Sequence, residues 1–257
     1  MIGLFLISVA AFAAQDANDT PPAPKIYTVD IQNVYPHDDN AFTQGLFFSE
    51  GRLFESTGRK GRSSLREVNI RTGRPVRKKP LPDEVFGEGS TAVGDNIISL
   101  TWKAGKGFVH QLDTFKPVND FRYEGEGWGL TYDGARLILS DGTGALRYLD
   151  PETFEETGRL EVTLQGQPVK YLNELEWVDG EIFANVWLSD WIFRIDPETG
   201  VVSGLIDLSN IHPRGRDRTK GDDVANGIAY EPASKRLFLT GKNWPVLYEV
   251  NVVEFQP

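Results

Sequence analysis

Five segments of the chain share one frame, and the residue opening each frame is Gln44, Glu88, Trp128, Asn173 or Asn226. Glu88 is the one ionisable acid at that position. A second position, 12 to 15 residues beyond the centre of each frame, holds Thr57, Trp102, Asp141, Trp187 and Lys242. Phe42, Phe86, Trp102, Trp128 and Trp187 would crowd around Glu88. Rings that strip water from a carboxyl raise its pKa towards neutrality, which is the tuning a general base or acid needs. The bland reading of these rings is packing between repeats, and Trp177 and Trp191 stand at positions more typical of that. Structural repetition favours the same small residue in every copy, whereas a site needs a different residue in each.

Other catalytic sets are poorly supplied. The chain has three histidines, His37, His110 and His212, at unrelated repeat positions, so a histidine zinc site would need all three to converge. There is no cysteine, which removes thiolate nucleophiles, thiolate metal sites and disulfides together. GEGST at 87–91 resembles a nucleophile elbow only in letters, since no strand-to-helix context surrounds it. Phosphate loops and dinucleotide fingerprints are missing.

The elements that must position these residues are short strands. QGLFFSEGRLF around Gly45, EGSTAVGDNII around Gly89, WGLTYDGARLI around Gly129, NELEWVDGEIF around Glu174 and NGIAYEPASKRLF around Gly227 recur at intervals of 40 to 53 residues. Within each, apolar residues alternate and SEG, YDG or VDG turns the chain, which is hairpin chemistry. A strand closing on a DPETG-like turn follows each hairpin. A period near this size fits a four-stranded propeller blade, so five copies predict an all-β, five-bladed β-propeller. A β-sandwich also has many short strands, but it does not need matching turns at a fixed period. Ile26 to Pro36 reads as a strand without a repeat of its own, expected to supply the outer strand of the last blade and join the chain's two ends.

Of the 257 residues, 40% are hydrophobic and 25% charged, enough for a sizeable core. The formal net charge of −10 disfavours a nucleic-acid partner. The basic runs RPVRKKP (74–80) and RGRDRTK (214–220) read as solvated loops. Residues 1–14, MIGLFLISVAAFAA, are apolar, too short to span a bilayer, and end in small residues, as a secretory signal does. Residues 15–25 are polar and Pro-rich, a flexible tether with an NDT triplet that matches a glycosylation sequon only by pattern. Residues 26–257 then form a single domain. The protein is expected to be exported to the periplasm or secreted, to act as a monomer, and to make no stable membrane insertion once the signal is removed.

Taken together, YPHDDNAFTQGL, FESTGRKGRSSLREV, FGEGST, LTWK, GWGLTYDG, LNELEW, ANVWLSDWIFRIDPETG, NGIAYEP and LTGKNWP resemble the glutamine cyclotransferase family, the plant and bacterial type of glutaminyl cyclase. The resemblance runs from about Tyr35 to the last strand. It implies a five-bladed propeller and cyclisation of a peptide's amino-terminal glutamine to pyroglutamate, with release of ammonia. The acid of FGEG becomes Glu88, the catalytic residue, and the glutamine of AFTQGL becomes Gln44. The family's other substrate-binding positions fall on Phe42, Phe86, Trp102, Trp128, Asn173, Trp187 and Lys242. The partner is then a peptide or protein with amino-terminal Gln. Plant-type members imply a structural calcium in the channel, but no acidic oxygen cluster of the usual loop type is visible here, so no metal ligand is assigned and no cofactor is expected to be required.

Two other readings compete. In a calcium-dependent lactonase-like propeller, Glu88, Asn173, Asn226 and Asp141 would form an oxygen ring around the metal, and chelation would abolish activity. A pure binding propeller would leave a peptide beginning with glutamine unchanged.

Overall fold

In a computed structural model that describes residues 23–213 and 223–256, every regular element is a β-strand. Apolar residues alternate over six or seven positions, and each run ends in a turn. In YDG and VDG the last residue carries the reversal with a positive φ, +95° at Gly134 and +93° at Gly180, where a side chain would be strained. The DPETG turns have their own device. Asp150 Oδ1 accepts the N–H groups of Glu152 and Thr153, and Asp196 Oδ1 accepts those of Glu198 and Thr199, so each aspartate caps the turn it begins.

The first strand, β1, spans Lys25–Pro36. Three antiparallel four-stranded sheets follow. One contains β2 (Thr43–Ser49), β3 (Arg52–Thr57), β4 (Ser64–Asn69) and β5 (Arg74–Pro80). The next contains β6 (Gly87–Val93), β7 (Asn96–Thr101), β8 (Lys106–Gln111) and β9 (Pro117–Arg122). The third contains β10 (Leu130–Tyr132), β11 (Leu137–Leu139), β12 (Ala145–Leu149) and β13 (Glu156–Glu161), and is followed by a small hairpin of β14 (Thr163–Leu164) and β15 (Gln167–Pro168). The remaining strands are β16 (Leu172–Val178), β17 (Glu181–Val186), β18 (Trp191–Ile195), β19 (Val202–Asp207), β20 (Ala225–Glu231), β21 (Arg236–Gly241) and β22 (Val246–Glu254). They join β1 in one eight-stranded sheet of order β16-β17-β18-β19-β1-β22-β21-β20.

Strand β1 runs antiparallel to β22, from Tyr27 opposite Glu254 to Pro36 opposite Val246, so the start of the domain is laced to its end as expected for Ile26–Pro36. It also pairs in parallel with β19 over Lys25–Thr28. Lys25, read from sequence as the end of the tether, therefore already belongs to the sheet. The run RPVRKKP is a second correction. It is not a loop but strand β5, paired to β4 from Ser64 opposite Pro80 to Asn69 opposite Arg74. As the outermost strand it is solvated along most of its length, so it carries no apolar alternation to betray it. The signal, the NDT triplet and RGRDRTK lie outside the described residues.

Five apolar clusters pack between neighbouring groups of strands. Phe47 and Phe54 meet Ile97 and Leu112; Ile98 and Leu100 meet Leu137 and Leu139; Ile138 and Leu146 meet Leu175 and Ile182; Phe183 and Ile192 meet Ile228 and Leu239. The last joins Ala229 and Phe238 back to Leu46 and Leu53, so the packing closes on itself. Each buried aliphatic or aromatic side chain here contributes about 1.5–3 kcal/mol. Among the first strands of the groups, the frame glycines allow close approach. A Cβ on Gly45 would lie 2.6 Å from Ser90 N, one on Gly89 2.6 Å from Leu130 N, and one on Gly129 2.0 Å from Asn173 O.

Candidate active site

The residues opening each frame sit where the strand pairing slips. Register shifts fall between Thr43 and Gly45 in β2, Gly87 and Ser90 in β6, Leu172 and Leu175 in β16, and Ala225 and Ile228 in β20. Each irregularity contains one of Gln44, Glu88, Asn173 and Asn226. Bulges re-aim side chains that regular pleating would place elsewhere. Trp128 immediately precedes the third sheet and is fixed by its backbone, its carbonyl accepting from Gly89 N at 2.7 Å and its N–H reaching Ser140 O at 2.8 Å.

Phe42, Gln44, Phe86, Glu88, Trp102, Trp128, Asn173, Trp187 and Lys242 line one cavity of about 280 Å³. All nine residues named from sequence thus come together. Gln44, Glu88, Asn173 and Lys242 are almost completely buried and supply its polar side, with Phe42 buried among them. Phe86, Trp102, Trp128 and Trp187 are half-buried and supply the rest. The rings form two runs. Phe42 meets Phe86 edge-on at 5.9 Å and Phe86 meets Trp102 at 5.6 Å, while Trp128 meets Trp187 edge-on at 5.7 Å. Edge-to-face contacts of this kind fix ring orientation as well as bury area.

Glu88 is 5% exposed. Burial pushes its pKa well above the ordinary carboxyl value; the Lys242 ammonium opposes this and the Glu126 carboxylate adds to it. Lys242 Nζ also lies 5.0 Å from the centre of the Phe42 ring, a cation–π distance. Gln44 Oε1 accepts from Asn226 Nδ2 at 3.2 Å, which leaves the Nε2 amide as the donor of that side chain.

Asn226 therefore orients Gln44 and does not line the cavity; its Nδ2 also reaches Thr43 O at 2.9 Å. Asp141 accepts from Thr143 in its own turn, and Thr57 shares a hydrogen bond with Ser64 Oγ at 2.9 Å. The oxygen ring that a lactonase-like calcium site requires is not assembled, because only Glu88 and Asn173 of its four members face the cavity. The histidines disperse: His37 bonds Glu55 and Trp244 O, and His212 bonds Asp190. Two other buried carboxyls among the first strands are engaged with backbone donors. Glu174 accepts Leu46 N–H at 3.1 Å and Ile228 N–H at 3.0 Å, one on each oxygen, and Glu176 accepts Tyr230 N–H at 2.8 Å. Among the described residues no three of His, Asp and Glu group as a metal site would require.

Sequence reasoning passed over Glu126. It stands two residues before Trp128, outside the repeat position used to find the site, and its signal was only that it is an acid in GEGW. Its carboxylate oxygen Oε2 accepts the indole N–H of Trp102 at 2.6 Å and that of Trp128 at 2.9 Å, tying the two aromatic runs together.

Comparisons with known proteins bear on the family. A sequence model of the family described as Glutamine cyclotransferase matches residues 3–252. The glutaminyl-peptide cyclotransferase of Arabidopsis thaliana is 39% identical over 253 residues, which are 97% of this chain and 79% of that one. The crystal structure of Myxococcus xanthus glutaminyl cyclase superposes with a TM-score of 0.85 at 40% identity, covering 91% of this chain and all of the other. The WD40 β-propeller domain of Doa1 is similar in fold alone, with a TM-score of 0.50 at 11% identity over 80% of this chain and 62% of that one. A family match over nearly the whole length, carried by relatives at about this identity, places the chain in the glutamine cyclotransferase family.

Proposed function

We propose that the protein is a glutaminyl-peptide cyclotransferase that converts the amino-terminal glutamine of peptides and proteins to pyroglutamate with release of ammonia, using Glu88 as both base and acid. The observation that carries this reading is a single carboxyl, buried among aromatic rings, in a cavity whose other polar groups are amides and an ammonium. The strand groups are read as the five blades of a propeller, supported by the closed cycle of apolar clusters and by the likeness to the WD40 domain. Residues 1–14 are read as an export signal. Among the described residues no helix is long and apolar enough to cross a membrane.

The α-ammonium of a peptide, with a pKa of about 7.7–8, is mostly protonated at neutral pH and must lose a proton before it can attack. Ionised Glu88 takes that proton. The amine nitrogen bonds to the side-chain Cδ, and the carbonyl electrons move onto oxygen. Gln44 Nε2, Asn173 and the Lys242 ammonium are the donors on hand for this oxyanion and for the substrate's amides. Glu88 returns its proton to the departing nitrogen and takes the second proton of the ring nitrogen; the oxyanion re-forms the carbonyl as the Cδ–N bond breaks, and the ammonia set free carries that last proton away as ammonium, which restores the carboxylate. Trp102, Trp128 and Trp187 wall the cavity so that the flexible glutamine side chain is held folded for five-membered ring closure. No metal takes part in this scheme, so activity should persist in EDTA.

The test is mass spectrometry of a synthetic peptide beginning with Gln, incubated with the protein. The expected change is a loss of about 17 Da, the mass of ammonia released by intramolecular acyl transfer. A control beginning with Asn stays intact. An unchanged Gln peptide overturns the reading in favour of a binding propeller.

A further inference from the structure

The segment between β9 and β10 carries Glu126 across the edge of the cavity. Two glycines make this possible: Gly125 turns the chain at φ +75°, and a Cβ on Gly127 would lie 2.6 Å from the Tyr123 hydroxyl. Gly127 N–H donates to Trp102 O at 3.1 Å, so the segment is fastened to the backbone of the tryptophan that Glu126 also holds by its indole. Tyr123 in turn donates to Thr101 O, next to Trp102. Glu126 is thus supported from behind, and its placement does not depend on a long, freely rotating loop.

The carboxylate divides its work. Oε2 receives both indole N–H groups, from Trp102 and Trp128, while Oε1 faces Lys103 Nζ at 3.4 Å. The Lys103 ammonium itself lies 4.2 Å from the centre of the Trp102 ring. Burial favours the neutral acid, but the indole donors and Lys103 outweigh it and hold the Glu126 pKa below the ordinary glutamate value. An indole N–H is a donor with no acceptor of its own, so its partner decides the ring's rotation. With one oxygen serving both, the rotations of two rings that flank different sheets are coupled through a single atom.

We propose that Glu126 is a positioning residue of the reaction site, whose one carboxylate oxygen locks Trp102 and Trp128 at the separation that folds the substrate's glutamine side chain. This rests on the cyclotransferase reading, and it assigns Glu126 no contact with the reacting atoms. Its charge has a second effect through space. It favours the protonated form of Glu88, so removing it makes Glu88 ionise at lower pH.

The experiment compares Glu126→Gln and Glu126→Ala with the unaltered protein in three measurements. In a ¹H–¹⁵N spectrum, the indole resonances of Trp102 and Trp128, assigned by single Trp→Phe variants, should move in both proteins, and furthest in Glu126→Ala, where no acceptor remains. With a peptide beginning with Gln, kcat should fall about tenfold in Glu126→Ala while KM changes less, the pattern of a lost near-attack geometry. Glu126→Gln keeps one carbonyl acceptor and should recover part of the kcat. The acid limb of kcat/KM should shift to lower pH in both, which a merely structural role would not produce. Unmoved indole resonances, or an unchanged kcat and acid limb, overturn the proposal. A protein that cyclises no Gln peptide at all overturns the cyclotransferase reading instead, and the indole resonances then still report whether Glu126 holds the two rings.

Discussion

Leu46 and Glu174 lie 128 residues apart in the chain, and the Leu46 N–H donates to Glu174 Oε1 at 3.1 Å. The other oxygen of the same carboxyl receives the Ile228 N–H. Glu174 stands where the other four frames carry glycine, and its side chain bridges from β16 to β2 and β20. Replacing it with alanine orphans two buried backbone donors, each of which costs about 1–3 kcal/mol when unsatisfied. Glu174→Ala should therefore lower unfolding free energy by about 2–4 kcal/mol in urea, and Glu174→Gln, whose single amide oxygen can keep only one of the two N–H groups, by roughly half as much. Equal losses in the two variants would mean that packing, not the N–H contacts, is what Glu174 provides.

Glu88→Gln should reduce turnover by about 10² to 10⁴, the usual worth of acid–base catalysis, with an unchanged unfolding midpoint. The amide keeps the shape of the carboxyl but cannot accept the amine proton. Near-normal turnover in single-turnover assays would remove Glu88 from the mechanism.

Lys242 lowers the pKa of Glu88, against the larger effect of burial. Lys242→Met removes that opposition, so Glu88 should hold its proton to higher pH and the acid limb of kcat/KM should move up. Residual activity suffices for the measurement, since the position of the limb and not its height is read. A limb that stays in place would place the Lys242 ammonium electrostatically apart from Glu88.

Glu176 is fully buried against β20, and burial raises its pKa from the ordinary 4.5 to about 8, despite the N–H groups it accepts. A carboxyl with a raised folded-state pKa contributes stability that is complete below the unfolded value and lost as pH rises through the folded one. Stability should fall between about pH 4.5 and 8 for this reason, at a slope approaching roughly 1.4 kcal/mol for each pH unit crossed. In Glu176→Gln that part of the slope disappears. Urea midpoints at pH 5 and pH 9, compared between the two proteins, give the answer, and parallel slopes would contradict it.

The frames and turns were legible because they are physically forced: alternation, positive φ at glycine and aspartate-capped turns all leave marks in sequence. Seven of the nine cavity residues were legible for a related reason, since register in a repeat converts into proximity in space, but the same register also named Thr57, Asp141 and Asn226, and it was the family resemblance that separated the two sets. Strand β5 was not. An outermost strand touches one neighbour and mostly water, so RPVRKKP has the composition of a loop. Glu126 was missed on other grounds. It lies between the repeated positions, and its importance depends on two indoles that converge on it from 24 residues before and two residues after, a relation only the fold creates.

Gly45, Gly89 and Gly129 bring their strands so close that no side chain fits between them, and Glu174 occupies the space beside them. A methyl at any of the three would have to force two neighbouring strands apart, and Gln44, Glu88 and Trp128, each directly preceding one of these glycines, would be carried with them. The smallest residues of the frame thereby keep the span across which the cavity's side chains face one another.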